Sequence, residues 1–257
     1  MSLDFLAWIA PLISVSAFFL LEKYYFKIKN KFEQRLVTIL SIEFISIVIS
    51  LTLSFALLAP LVFLVAPLQI FSFSNLNVPI AISFALSFLF LDLVNYLNHR
   101  LHHHVPFLWR FHRLHHSDHY VDSLTTFLHH PFELISTFIV TIAFAAIFDV
   151  PVIALISYGI AVGFHSAFTH LNILLPEQKA KLLNFLFVTP NFHKAHHSIV
   201  IKEGNSNFGI LFSYWDYLFN TICYKYNTEL KSMTTGIDIK QSPQKINVLS
   251  FLANPFK

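Results

Sequence analysis

An all-α helical bundle embedded in a membrane is the fold that this sequence predicts, and three observations predict it. Apolar residues make up 55% of the 257 and charged residues only 12%, with 30 Phe and a mean hydropathy of +0.61. A soluble domain of this length is far more polar. The apolar residues fall in runs long enough to cross a hydrocarbon layer, which takes roughly 20 residues of helix. The 15 histidines are all confined to residues 99–197, ten of them to residues 99–130. Together these predict about four to five transmembrane helices and a cytoplasmic helical cap that gathers the imidazoles on one side.

The elements follow in chain order. Residues 5–21 have the length of a short first span, and a cleaved leader is not expected because Asp4 replaces the usual positive charge and no small-residue cleavage site follows. Lys23, Lys27, Lys29, Lys31 and Arg35 then form a basic loop within residues 22–35, which the positive-inside rule places in the cytoplasm. Between residues 36 and 98 there is no Lys or Arg, and Glu43 and Asp92 are the only acids. Residues 36–58 span outward, and Pro60 and Pro67 predict a re-entrant or interfacial piece as far as residue 71. A span over residues 78–95 returns the chain to the cytoplasm and delivers His99 there. Residues 132–148 and 150–164 read as a tight hairpin through the membrane, so His165, His170 and the cluster at 193–197 emerge on the side of His99. The remainder is a polar cap with a loosely ordered tail after Tyr226. Residues 1–91 thus form an N-terminal membrane region, 92–221 the histidine-bearing unit and 222–257 a polar C-terminal tail.

Composition also excludes function classes. A formal net charge of +3 is too slight to indicate a nucleic-acid partner. The single cysteine, Cys223, rules out an internal disulfide and a thiolate metal site. Any metal must be held by nitrogen and oxygen. With five glycines and no GxGxxG, a dinucleotide-binding fold is not expected.

Spacing carries the chemistry. His99 and His103 are four apart, which on a helix puts both rings on one face. His112, His115 and His116 form HxxHH, as do His193, His196 and His197, so each turn offers up to three nitrogens. Eight imidazoles exceed the four to six positions of one ion, and two metals are the economical reading. An all-imidazole site with open positions suits iron better than calcium or magnesium, while zinc fits on ligand type alone. A histidine in an apolar protein is by default a hydrogen-bonded core residue, the role expected of His102, His104, His119 and His129. Asp92, seven residues before His99 on the same helix, is expected to orient His99 or His103. Tyr96 continues that polar stripe, and His130 and His165 are candidates for supporting positions around the ligands.

The pattern HRxxHxxxxLWxFHxxHHS, from His99-Arg100 through His103, Trp109 and His112 to His115-His116-Ser117, resembles the fatty acid hydroxylase superfamily, also called the sterol desaturase family. The rest of the family pattern follows in order. Asp92 and Tyr96 precede it; Thr125, His130-Pro131 and Glu133, His170 with Asn172, Thr189-Pro190 before His193, Asn205 to Gly209, and Trp215-Asp216 with Phe219 and Thr221 come after. The resemblance covers residues 92–221. It implies an integral-membrane oxygenase with two irons, using O2 and two external electrons to hydroxylate or desaturate a lipid. It implies the eight motif histidines as ligands with His170 as a ninth, and it adds Asp216 to the supporting candidates and His165 as a weaker ligand. The electron donor implied is a cytochrome b5-like, ferredoxin-like or reductase partner. Two departures stand out. An arginine common two residues before the His-Pro pair is Leu128, and a glycine common between Phe219 and Thr221 is Asn220.

Rival readings are a zinc-dependent membrane hydrolase and a non-catalytic metal-binding membrane protein. A transporter would distribute ionisable groups through its spans, and here the spans nearly lack them.

Overall fold

The computed structural model describes residues 16–25, 32–238 and 247–256. Residues 5–15 of the expected first span and Lys27, Lys29 and Lys31 of the basic loop lie outside them. The regular elements among the described residues are helices, with two isolated β-bridges, Phe187 to Phe212 and Ser198 to Thr235.

Among the described residues, three helices are long and apolar enough to cross a membrane: the stretch Arg35–Leu68, the helix Ile80–His104 and the helix Val152–Thr169. The first overlaps α1 (Phe32–Val65), which runs through Pro60 rather than stopping there. The expected interruption does not occur, because in an apolar medium breaking the helix would strand several backbone groups, whereas proline removes one donor. α2 (Ile80–His104) continues well past the exit expected near residue 95 and so carries His99 and His103 on its last turns. α3 (Pro106–His116) starts with proline at its first position, where no N–H is needed. The expected hairpin is α4 (Pro131–Ile147) and α5 (Val152–Thr169). Its turn places Asp149 at φ 45°, and Ser72 Oγ donates to the Asp149 carboxylate at 2.5 Å. At Gly159 of α5 an added Cβ would meet nothing within 4 Å, so this glycine is not a site of close backbone approach.

α1 lies along α4, and α2 packs on α3, α4 and α5. Outward faces carry large apolar side chains such as Phe63 (84% exposed) and Ile80 (85%), as lipid contact requires. The cap is built of short helices: α6 (Glu177–Leu183), α7 (Pro190–His196), α8 (Ile201–Gly204), α9 (Tyr214–Leu218), α10 (Asn227–Ser232) and α11 (Val248–Ala253). One apolar core joins Ile39 and Ile42 of α1 to Leu114, Leu124, Leu128 and Phe251; another joins Leu91, Ala154 and Tyr158 to Leu211. The described part of the tail is better ordered than its composition suggests. Phe251 is fully buried, and Arg113 donates to the Asn254 carbonyl and side chain at 3.2 and 2.9 Å.

Candidate metal centre

The turns that present the histidines are set by local rules. α7 is opened by Thr189, whose Oγ1 accepts the Phe192 N–H at 3.3 Å, followed by Pro190. α2 and α3 meet at Val105-Pro106, so the rings of His99 and His103 turn to face those of His112 and His116. His170 caps the end of α5.

Two sets of ring nitrogens result. His99, His103, His112, His116 and His196 place one ligand atom each within 4.8 Å of one another, and His115, His170, His193 and His197 do the same. Between the sets, the His116 and His197 rings stack at 4.5 Å. In the first set the Nε2 of His112 lies 3.2 Å from that of His99 and 3.1 Å from those of His103 and His116. In the second, His170 Nε2 is 3.2 Å from His115 Nε2 and 3.0 Å from His193 Nε2, which is 3.2 Å from His197 Nε2.

Outer contacts fix which nitrogen is free. His99 donates Nδ1–H to the Phe208 carbonyl at 2.9 Å, His112 donates to Glu133 Oε1 at 2.7 Å, and His170 and His196 donate to the Ser166 and Ser206 carbonyls at 2.7 Å. In each neutral ring Nε2 is then a lone pair. His99 and His112 therefore point two lone pairs at each other across 3.2 Å in a buried place, and a cation between them resolves that repulsion. With a metal–nitrogen bond of about 2.1 Å, neighbouring donors at right angles lie about 3.0 Å apart and tetrahedral ones about 3.4 Å. The donor set fits metal ions, and five donors exceed what a tetrahedral ion takes. Burial keeps the rings in the ligand state. It holds His115, His116, His193 and His197 well below the usual histidine range, helped by the neighbouring imidazoles, and pushes His170 and His196 down to about 3.

The two sets contain the nine expected ligands and no others. The supporting candidates are placed differently. Asp92 hydrogen-bonds no ligand ring; its carboxylate accepts the Leu211 and Phe212 N–H groups, the Trp215 indole N–H and the Tyr158 hydroxyl at 2.9–3.3 Å. Tyr96 pairs with the Thr221 hydroxyl at 2.7 Å and stacks on Phe219. Asp216 accepts the Phe208 and Gly209 N–H groups at 2.8 Å, so it holds the carbonyl that orients His99. His130 caps α4 through Nδ1 and faces the Leu252 carbonyl with Nε2 at 3.3 Å, away from both sets. His165 lies outside both sets, its ring beside Phe168. The default role holds for His102, His104 and His119, each bonded to a backbone carbonyl.

His129 too lies outside both sets as a hydrogen-bonded residue, but it sits against the centre. Its ring stacks on His115 at 4.3 Å, and its Nδ1 donates to Glu133 Oε1 at 2.9 Å, the oxygen that also holds His112. The signal in the sequence is a lone acid in the apolar segment 131–147, four residues after a histidine.

Two cavities reach the centre. One of about 250 Å³ touches His99, His112, His115, His170 and His193 and is walled by bundle residues such as Asn95, Leu134 and Val162. The other, of about 570 Å³, reaches His103 and His116 from the cap side past Trp109 and Ile201.

Residues 84–221 match the family described as fatty acid hydroxylase. The chain is 32% identical over 182 residues to the ornithine lipid hydroxylase OlsE of Rhizobium tropici, covering 69% of this chain and 51% of that protein. It is 30% identical over 147 residues to the very-long-chain aldehyde decarbonylase GL1-5 of Oryza sativa subsp. indica, and 29% identical over 164 residues to CER1 of Arabidopsis thaliana, another such decarbonylase. It spans about half the length of the first relative and under a quarter of the other two. No solved structure matches the chain. With nine histidines of the family pattern gathered into two buried donor sets on a membrane bundle, and with more than half its length matched, the chain belongs to the fatty acid hydroxylase family.

Proposed function

We propose that this protein is a lipid oxygenase whose two histidine sets hold two irons, and that it hydroxylates a lipid with O2 and two electrons from an external donor. The observation that carries this reading is the pair of donor sets, five and four imidazoles, each set within 4.8 Å. Iron is preferred to zinc because the first set offers five nitrogens, more than a tetrahedral ion takes. When bound, a pair of irons supplies the O2 activation that an unactivated C–H bond demands and that acid–base groups cannot provide.

The residues of this chain do the rest. The carbonyls of Phe208, Ser206 and Ser166 and the carboxylate of Glu133 fix the ring tautomers, and so aim the lone pairs inward. The 250 Å³ cavity, bounded by bundle residues on one side and ligand rings on the other, receives a lipid segment and excludes water from it. The second cavity leaves His103 and His116 reachable from the cap, the side on which a cytochrome b5-like, ferredoxin-like or reductase donor would dock. We place that side in the cytoplasm because Lys23, Arg35 and the other basic residues of 22–35 cluster before and at the start of α1. Residues 92–221 are the catalytic unit in this reading.

Comparative lipid mass spectrometry under 18O2 tests the proposal, in a host supplying lipid and donor, with the intact chain and with His112→Ala. The expected result is one lipid class gaining an oxygen-18 atom only with the intact chain. No oxygen-dependent change would overturn the reading, and turnover that persists without O2 would favour the zinc hydrolase.

A further inference from the structure

We propose that two segments of the cap, residues 182–187 and 208–221, are seated in the apolar layer of the membrane beside α2, with the acyl chains of that leaflet as their partner. The family match assigns no such element, and three observations point to it.

The first is depth. The 208–221 segment runs down α2 instead of lying over its end. Phe208 meets His99, Leu211 and Phe212 meet Asp92, and the Phe212 ring lies 6.5 Å from that of Phe88. Eleven residues of helix at about 1.5 Å each make a descent of about 16 Å along a candidate span. Residues 182–187 go down with it. Val188 N–H donates to the Leu211 carbonyl at 3.0 Å, Ser213 N–H donates to the Leu186 carbonyl at 3.1 Å, and the Phe187 and Phe212 rings are 5.6 Å apart.

The second is how the backbone is satisfied. Non-helical chain survives at membrane depth only where protein groups replace water as partners. Here two buried carboxylates serve four N–H groups. Asp92 takes those of Leu211 and Phe212, and Asp216 takes those of Phe208 and Gly209. Ser213 Oγ donates to the Asn184 carbonyl at 2.7 Å, which ties the two segments together.

The third is the outer surface. Leu182 is 76% exposed, Phe185 72% and Leu218 67%, with Leu183, Leu186 and Tyr217 exposed around them. Against water this would be a large contiguous apolar patch; against acyl chains it continues the lipid-facing surface of the bundle. Lys179 and Lys181, both exposed, stand next to it where their ammonium groups can reach headgroups.

One consequence bears on the proposed reaction and depends on it. Gly209 and Ile210 belong to the embedded segment and also wall the 250 Å³ cavity, so a lipid reaches the histidines sideways without leaving its leaflet. The embedding itself is read without turnover.

The experiment uses the full chain in phosphatidylcholine–phosphatidylglycerol vesicles, with Cys223→Ser as background and single cysteines introduced by Phe185→Cys, Leu218→Cys or Lys202→Cys. The probes are a bimane label, nitroxide-bearing lipids and a membrane-impermeant maleimide. At positions 185 and 218 the expected result is strong nitroxide quenching and maleimide labelling slower by about tenfold or more than at 202, since hydrocarbon excludes the charged reagent. Leu182→Cys replaces either variant that fails to fold. Equal labelling at all sites without quenching would overturn the proposal, because the patch would face water. Protection without quenching would overturn it too, because protein would then cover the patch.

Discussion

Glu133 gathers two imidazoles on one oxygen, accepting from His112 at 2.7 Å and His129 at 2.9 Å. A carboxylate behind a metal-ligating histidine fixes its tautomer and raises its basicity, and losing such a partner typically costs about 10–100-fold in metal affinity. Glu133→Gln keeps the size of the side chain but removes its charge. We expect metal retention against graded chelator to fall within that range while far-UV circular dichroism stays unchanged; retention equal to the native protein would leave Glu133 a packing residue. At this scale the sequence was legible where spacing repeats and illegible where partners come from afar. The nine candidate ligands announce themselves as HxxxH, two HxxHH groups and one family position. The partner of Asp92 does not, because it is backbone more than a hundred residues away.

Asn220 shows an element closing on itself. It follows α9 at φ 53°, with Thr221 N–H bonded to the Asp216 carbonyl at 2.8 Å and Asn220 N–H to Tyr217 at 3.4 Å, the pattern of a left-handed helix C-terminus. Glycine has no Cβ penalty there and asparagine tolerates the region best among the rest, which accounts for the departure from the family glycine. Asn220→Gly is expected to leave the unfolding midpoint in detergent unchanged or slightly higher. Asn220→Val should cost about 1–2 kcal/mol because a β-branched side chain is strained at positive φ. A Val variant as stable as the native chain would mean that the turn relaxes. Helix boundaries were the less legible part of the elements. Proline at position 60 signals an end, yet α1 continues to Val65, because the surrounding lipid offers stranded carbonyls nothing.

For the whole molecule, packing so many neutral imidazoles together makes stability depend on pH. A histidine in the unfolded chain titrates near 6.5. In the folded protein burial takes His170 and His196 to about 3 and His115, His116, His193 and His197 well below their usual range. As pH falls through about 6.5 the unfolded state binds protons that the folded state refuses, so the folded state loses ground. The metal-stripped protein should therefore show a falling unfolding temperature between about pH 7 and 5, and bound metal should move that fall to lower pH. A flat profile would show that the rings protonate in place.

The sequence by itself determined the class and the donors. Hydropathy fixes which stretches can lie in lipid, and helical spacing fixes which imidazoles share a face; both are local properties of the chain. The tertiary structure alone decided the partition of the nine histidines into sets of five and four. His196 joins the rings of α2 and α3, while its neighbours His193 and His197 face His115 and His170. It also decided that Asp92 and Asp216 serve a loop running down the span rather than a ligand ring. The physical reason is the same in both cases. A buried polar atom must find a partner, and which one it finds depends on how distant segments pack together, not on the residues beside it in the chain.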